Sequence, residues 1–277
     1  MSKLFLRCLF LMVSIASVQA VRMRHGYEAQ PRVVEGRSAR HDEYPFVVSI
    51  IAIMNLPILP FHTHLPVFLR GCTGSLITKQ FVITAAHCLQ ETMQYVRCGN
   101  MSVALNETTC KSKIVKQFVH PAYARGDNDI GLLQIEPLIV QYYGKIKAVD
   151  YKTLLGRAVR YAGYGIMDFR FDMNDILKLQ IKPLQIGEGV IYDTSKKDES
   201  FLSTDPLLVI APKCSRKQQH PYLGDSGGPL FVGAQIAGVL CCGINLQNKN
   251  HRPLVTGFTP VSPYLEWITR TINTHRR

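Results

Sequence analysis

The sequence predicts an all-β fold of barrel or sandwich type, closed by one C-terminal helix. Three observations carry that prediction. Short runs rich in β-branched and aromatic residues recur along the 277-residue chain, separated by Gly, Pro and Asn turns. One of them, Leu177-Lys178-Leu179-Gln180-Ile181-Lys182, alternates apolar and polar at period two, as a half-buried antiparallel strand requires. Finally, 47% hydrophobic against 19% charged residues supplies enough apolar surface to offset the entropy of ordering, which excludes a disordered chain. The 20 Gly and 15 Pro follow no period, which excludes a collagen-like one.

Residues 1–20 read as a secretory signal peptide. Lys3 and Arg7 give a basic start, residues 8–15 are almost all apolar, and Val18-Gln19-Ala20 places small residues at the cleavage positions. The apolar run is shorter than the roughly 20 residues a membrane span needs. No other long uninterrupted apolar run follows, so the expected product is secreted, extracellular and free of membrane. Losing Cys8 with the signal leaves seven of the eight cysteines in an oxidising compartment, an odd number. Two sequons, at Asn100 and Asn106, sit between Cys98 and Cys110 and point to an exposed, glycosylated loop.

Strand-like runs then follow at 46–53, 81–84, 113–119, 130–135 and 157–162, and again at 207–210, 230–232, 235–240 and 254–259. Residues 53–69 hold Pro57, Pro60 and Pro66, which argue against a continuous strand, so the segment reads as a long loop. Its His62-Thr63-His64 lacks a third ligand nearby and makes no metal site. At the end Ser262 can cap a helix, Pro263 suits its first position, and Leu265, Ile268 and Ile272 share one face, predicting a helix over about 262–273. No internal sequence repeat is present, and 141–155 is the best boundary between two halves.

Three strings carry chemistry: Thr84-Ala85-Ala86-His87-Cys88, Asn128-Asp129-Ile130-Gly131-Leu132-Leu133 and Gly224-Asp225-Ser226-Gly227-Gly228-Pro229. A serine hydroxyl is a poor nucleophile at neutral pH and needs an adjacent general base. Residues this far apart in sequence can meet only after folding. In the order His, Asp, Ser, behind an Arg32-Val33-Val34-Glu35-Gly36 junction, the strings resemble the chymotrypsin-like (trypsin-type) serine proteases. The resemblance runs from Val33 to the terminal helix with Trp267. It implies an all-β fold of two antiparallel six-stranded barrels with the active site between them and a C-terminal α-helix. The protease domain would span 33–277, with barrels over about 33–140 and 150–260, behind an activation propeptide at 21–32.

The resemblance also assigns roles. Ser226 attacks the scissile carbonyl, His87 takes and returns the proton, and Asp129 holds the His tautomer. The amides of Gly224 and Ser226 form an oxyanion hole, worth roughly 3–4 kcal/mol per donor. Cutting after Arg32 frees the Val33 amine to pair with Asp225, whose burial without a partner would be costly. An activating protease is therefore an implied partner, beside protein or peptide substrates and protein inhibitors of a monomeric enzyme. Losing Lys3, Arg7, Arg22, Arg24, Arg32 and Glu28 lowers the net charge from +12 to +8 in the mature chain. The basic residues are scattered and no nucleic-acid motif accompanies them, so no nucleic-acid partner is expected. No metal or cofactor signature is present.

Departures from the family are specific. Cys72 and Cys88 match the bridge beside the catalytic His, and Cys98 and Cys110 are expected to pair with each other. Two other family bridges are lost in pairs: Val159 and Val232 stand at one, and Tyr222 and the Cys-free stretch 243–246 at another. From Cys214, Cys241 and Cys242 one bridge and one free thiol are expected. By the resemblance His220 occupies the floor of the specificity pocket where trypsins carry Asp. Its walls read Cys241-Cys242-Gly243 and Thr256. Without a negative floor, preference for Lys or Arg loses its main attraction. The leading expectation is a secreted serine endopeptidase, made as a zymogen and acting through an acyl-enzyme. The rival, favoured by the altered pocket, is a catalytically weak homologue that binds or regulates partners.

Overall fold

The computed structural model describes residues 36–58, 63–105, 107–124, 126–165, 183–192, 206–212, 221, 224–244 and 255–276. Six strands, β2 (Val47–Ile58), β3 (Thr63–Thr78), β4 (Phe81–Thr84), β5 (Met93–Arg97), β6 (Lys111–Val119) and β7 (Gly131–Ile135), close into one antiparallel barrel in the order β2-β3-β4-β7-β6-β5. A second set comprises β9 (Ala158–Gly163), β10 (Gln185–Tyr192), β11 (Leu208–Pro212), β12 (Pro229–Val232), β13 (Gln235–Ile244) and β14 (Val255–Pro260). These run β9-β10-β11-β14-β13-β12 and return to β9. The strand order of the second barrel is thus that of the first shifted by seven, although no sequence repeat links them. This is the two-barrel fold the resemblance implied, with one C-terminal helix, α1 (Leu265–His275).

Burial explains the pattern. All four residues of β4 are buried, because its Phe81, Val82, Ile83 and Thr84 are walled in by β3 and β7. One apolar cluster joins Ile50, Leu76, Ile83, Leu132 and Leu133 of the first barrel to Phe231, Ile236 and Val239 of the second. A smaller one, with Val159, Tyr161, Ile191, Leu230 and Phe258, fills the second barrel. Each such Leu, Ile or Phe side chain contributes roughly 1.5–3 kcal/mol on leaving water. The first barrel also encloses cations. Arg70 donates to the Tyr164 carbonyl (3.4 Å), and burial pushes its guanidinium down to about 10.

The ends of this unit cross over. Strand β1 (Arg37–Ser38) precedes the first barrel yet pairs with β10 of the second, Arg37 opposite Ile186. Helix α1 follows the second barrel yet packs on the first. The His275 ring lies 4.5 Å from that of Phe118, Gln134 Nε2 donates to His275 O (3.0 Å), and Trp267 meets His120 edge-on at 5.0 Å. A short strand, β8 (Lys145–Ile146), runs parallel to β13 between the two barrels.

Two expectations are corrected and two strands are added. Residues 53–58 and 63–69 are strand rather than loop, because β2 and β3 stay paired as far as Ile58 and Thr63; residues 59–62 lie outside the described residues. Pro57 opposes His64 and Pro66 opposes Asn55, two steps apart in register, so both belong to the same class of antiparallel pair. A two-stranded ribbon tolerates proline in the class whose N–H faces outward, since no ladder bond is lost. Ser262 does not cap the helix; its hydroxyl accepts from Tyr151 N (3.1 Å), and a 3-10 turn (Ser262–Tyr264) leads into α1. Strands β5 and β10 were not expected. The alternating run 177–182 lies outside the described residues.

Candidate active site

Strand β4 ends at Thr84, and the chain turns through a short 3-10 helix (Ala86–Cys88) that lifts His87 to the surface of the first barrel. Asp129 just precedes β7, and its carboxylate meets His87 twice. Oδ1 accepts from His87 N (2.9 Å) and Oδ2 lies 2.6 Å from Nδ1. Asp129 is only 3% exposed, while the His87 side chain is 35% exposed. A carboxylate on Nδ1 fixes the proton there and leaves Nε2 as the basic nitrogen. The preceding residue sets the angle. Asn128 sits at φ +54°, which Asn tolerates, with Nδ2 donating to Ala122 O (3.0 Å) and Oδ1 accepting from Tyr264 OH (2.9 Å).

Ser226 comes from the second barrel, on the turn before β12. Gly227 at φ +78° lets the chain reverse, and a Cβ there would strike the Thr84 hydroxyl and the Thr73 carbonyl. Backbone bonds hold the turn from behind: Gly227 N to Leu240 O (2.7 Å), Gly228 N to Asp225 O (2.8 Å) and Leu240 N to Gly228 O (2.9 Å). The first barrel holds it from the front through one residue. Thr73 donates its amide to Ser226 O (2.8 Å) and its hydroxyl to Gly224 O (2.7 Å). The same hydroxyl accepts from Tyr164 N (3.0 Å), and the Thr73 carbonyl accepts from Thr84 Oγ1 (2.8 Å). The amides of Gly224 and Ser226 donate to no other described residue. The His87 ring and the Ser226 hydroxyl make no hydrogen bond with each other, although Cys88 Sγ lies 3.6 Å from Ser226 O. Catalytic contacts of this kind often tighten only with substrate bound.

Asp225 is 2% exposed and accepts from Gly165 N (2.6 Å). Its charge, together with burial, raises the Tyr161 phenol above the usual range. Cys72 bridges Cys88 beside His87, and Cys98 bridges Cys110 around the loop that exposes Asn100. Gly243 on β13 and Thr256 on β14 are direct register partners, and Thr256 is 5% exposed. His220, Arg32, Val33, Asn106 and Cys214 lie outside the described residues. The expectation of one further bridge fails at β13, where Cys241 and Cys242 are both free thiols. Neighbouring Cα atoms stand only about 3.8 Å apart across a trans peptide, closer than disulfides prefer. Sequence reasoning gave Thr73, Thr84 and Asn128 no role. Thr84 and Asn128 stood inside the recognised strings and Thr73 beside Cys72, but only the fold shows that Thr73 and Asn128 reach across to the second half of the chain and that Thr84 holds the Thr73 carbonyl.

Two antiparallel six-stranded barrels and a C-terminal helix, with a His–Asp pair on the first barrel and a serine on a glycine turn of the second, are the architecture of the chymotrypsin fold. The trypsin family model matches residues 33–268, and the chain belongs to that family. Mast cell protease 2 of Meriones unguiculatus is 29% identical over 211 residues, 74% of this chain and 80% of that one. Granzyme F of Mus musculus is 30% identical over 210 residues, covering 73% and 80%. Granzyme M of Rattus norvegicus is 28% identical over 274 residues, covering 95% and 96%. The chain is a serine endopeptidase, a hydrolase of peptide bonds acting on protein substrates.

Proposed function

We propose that the protein is a secreted endopeptidase made as a zymogen, with His87, Asp129 and Ser226 as its catalytic triad. The observation that carries this reading is the 2.6 Å contact of His87 Nδ1 with the buried Asp129 carboxylate. It leaves Nε2 as the basic nitrogen that would serve Ser226. In the reaction His87 accepts the Ser226 proton as the hydroxyl attacks the scissile carbonyl, and the amides of Gly224 and Ser226 receive the oxyanion. His87 then protonates the leaving amine, and water repeats the sequence on the acyl-enzyme. Cleavage after Arg32 frees the Val33 amine to reach Asp225, and the buried state of that carboxylate supports the assignment. A fluorophosphonate probe tests the whole. Labelling after cleavage at Arg32, lost in Ser226→Ala, is expected; correctly cut, folded protein that takes no label would overturn it in favour of a binding homologue.

The proposed specificity is not trypsin-like. His220 brings no negative charge to the pocket floor. Thr256 puts a buried branched side chain beside Gly243, where it shortens the pocket and favours small, apolar or acidic side chains. A chromogenic peptide panel is expected to show little turnover after Arg or Lys, and Arg-selective cleavage would reverse this part of the reading. Residues 1–20 as signal peptide, 21–32 as propeptide, and glycans on Asn100 and Asn106 complete the proposal. Among the described residues no helix is long and apolar enough to cross a membrane. Exposure of Asn100 suits glycan attachment, which mass mapping of the secreted protein would detect.

A further inference from the structure

In a regular strand neighbouring side chains point to opposite faces, so adjacent cysteines cannot touch. On β13 they do: Cys241 Sγ and Cys242 Sγ are 3.1 Å apart. The cause is a register shift. Leu240 pairs with Phe258 and Cys242 with Gly257, so Cys241 is the extra residue of a bulge, and the bulge turns both sulfurs to one side. Cys242 is exposed and Cys241 half-buried. The place matters as much as the pairing. Leu240, the residue before the bulge, is bonded through its backbone to Gly227 and Gly228, the two residues after Ser226. Cys242 is therefore only two residues along the chain from the residue that holds the nucleophile turn, and the bulge shortens that step.

We infer that Cys242 is a thiol-modification site that takes low-molecular-weight disulfides such as glutathione disulfide, with Cys241 as the neighbour that prepares it. Either sulfur can donate across this contact; on this proposal the less exposed Cys241 donates its S–H and the exposed Cys242 sulfur accepts it. That bond holds the Cys242 thiol below the usual range, against burial and the Asp129 charge, while the hydrogen bond and burial push Cys241 well up. The Cys242 thiolate attacks one sulfur of the disulfide. A new Sγ–S bond forms as the reagent's S–S bond breaks, and the departing thiolate takes up the proton that Cys242 gave to solvent. Cys241 cannot readily displace the adduct by closing a vicinal bridge, because adjacent Cα atoms are too close. The bound group stands on the segment read from the resemblance as a wall of the specificity pocket, where it obstructs substrate on its way to Ser226. That last consequence rests on the peptidase reading above; the adduct itself does not.

The test uses the full protein cut after Arg32, incubated with glutathione disulfide and mapped by peptide mass. One glutathionyl group on the peptide carrying Cys242 is expected, with the Cys72–Cys88 and Cys98–Cys110 bridges intact. In Cys241→Ala the adduct should form several-fold more slowly at neutral pH, and the difference should close above about pH 10, where the Cys242 thiol ionises unaided in both proteins. An unmodified Cys242, or a Cys241→Ala rate indistinguishable from wild type at every pH, would sink the site. Peptide turnover and fluorophosphonate labelling of Ser226 should fall with adduct formation and return with free glutathione. Both should be indifferent to glutathione disulfide in Cys242→Ser. Turnover unchanged by a complete adduct would refute the obstruction alone. Absence of turnover before any treatment would refute the peptidase reading and leave the mapping to decide the site.

Discussion

The two barrels share one strand order and are held together differently. The first carries both disulfides of the described residues, Cys72–Cys88 and Cys98–Cys110, and bears His87 and Asp129. The second has no disulfide among the described residues and bears Ser226, with β13 and β14, the strands proposed to wall the specificity pocket. Where a family bridge would cross it, Val159 lies in its apolar cluster with Val232 packed against that cluster. Phe231 pairs with Arg160, so the same register carried one step on sets Val232 opposite Val159. The half that holds the His87–Asp129 pair is covalently stapled. The half that carries Ser226 relies on burial among its described residues. Thr73 passes the alignment of one to the other.

The largest effect should come from the stapled half. Asp129→Asn would leave the fold in place, yet lower kcat about ten-thousand-fold, because the His87 tautomer is no longer imposed; turnover of the cut enzyme on a peptide measures it. A fall of tenfold or less would mean that the base is not aligned by the first barrel. Next is the staple itself. Cys72→Ser with Cys88→Ser should cost about 3 kcal/mol, read as a lower urea midpoint. Placing Cys at both 159 and 232 should move the midpoint of the second barrel up, and a drop there would show that the valine pair already packs better than a bridge.

A smaller effect is expected at the joint. Thr73→Val leaves the Gly224 carbonyl without its donor and should cost about 1–3 kcal/mol in stability. Its kcat/KM should fall by more than the unfolded fraction explains, and Thr73→Ser should restore both. The smallest concerns Glu43, which Arg37 on β1 holds down to about 2. A depressed carboxylate stabilises fully above its ordinary range and loses that contribution as pH falls toward 2. Glu43→Gln should therefore cost under about 1 kcal/mol at neutral pH, the ceiling for a solvent-screened pair. The wild-type advantage should fade in acid denaturation below about pH 4.

Legibility followed how local the cause was. Strand β4 could be read as Phe81–Thr84 because a fully buried run announces itself in four residues. Strand β10 could not: Gly187 and Gly189 look like a turn, yet Gly187 is bare because the Tyr161 ring of the neighbouring strand lies where a Cβ would go. The prolines of the β2–β3 ribbon misled for a similar reason, since only pairing decides whether a missing N–H is missed. At the site, residue types and order were legible in the three strings. The Thr73 bonds to Gly224 and Ser226, the bulge at Cys241 and the role of Ser262 were not, because each depends on a partner more than 100 residues away or on a register that no single strand contains.

The crossed ends have a topological consequence. Because β1 lies on the second barrel and α1 on the first, each half of the chain grips the other with a piece of itself. A nick in the connection 141–155 would therefore not yield two free barrels. It would yield two fragments clasped reciprocally, like linked hands, and parting them would require peeling β1 from β10 and lifting α1 from Phe118 together. The polypeptide bond between the barrels is thus dispensable for their adhesion, and a permuted chain joined elsewhere could keep the same active cleft.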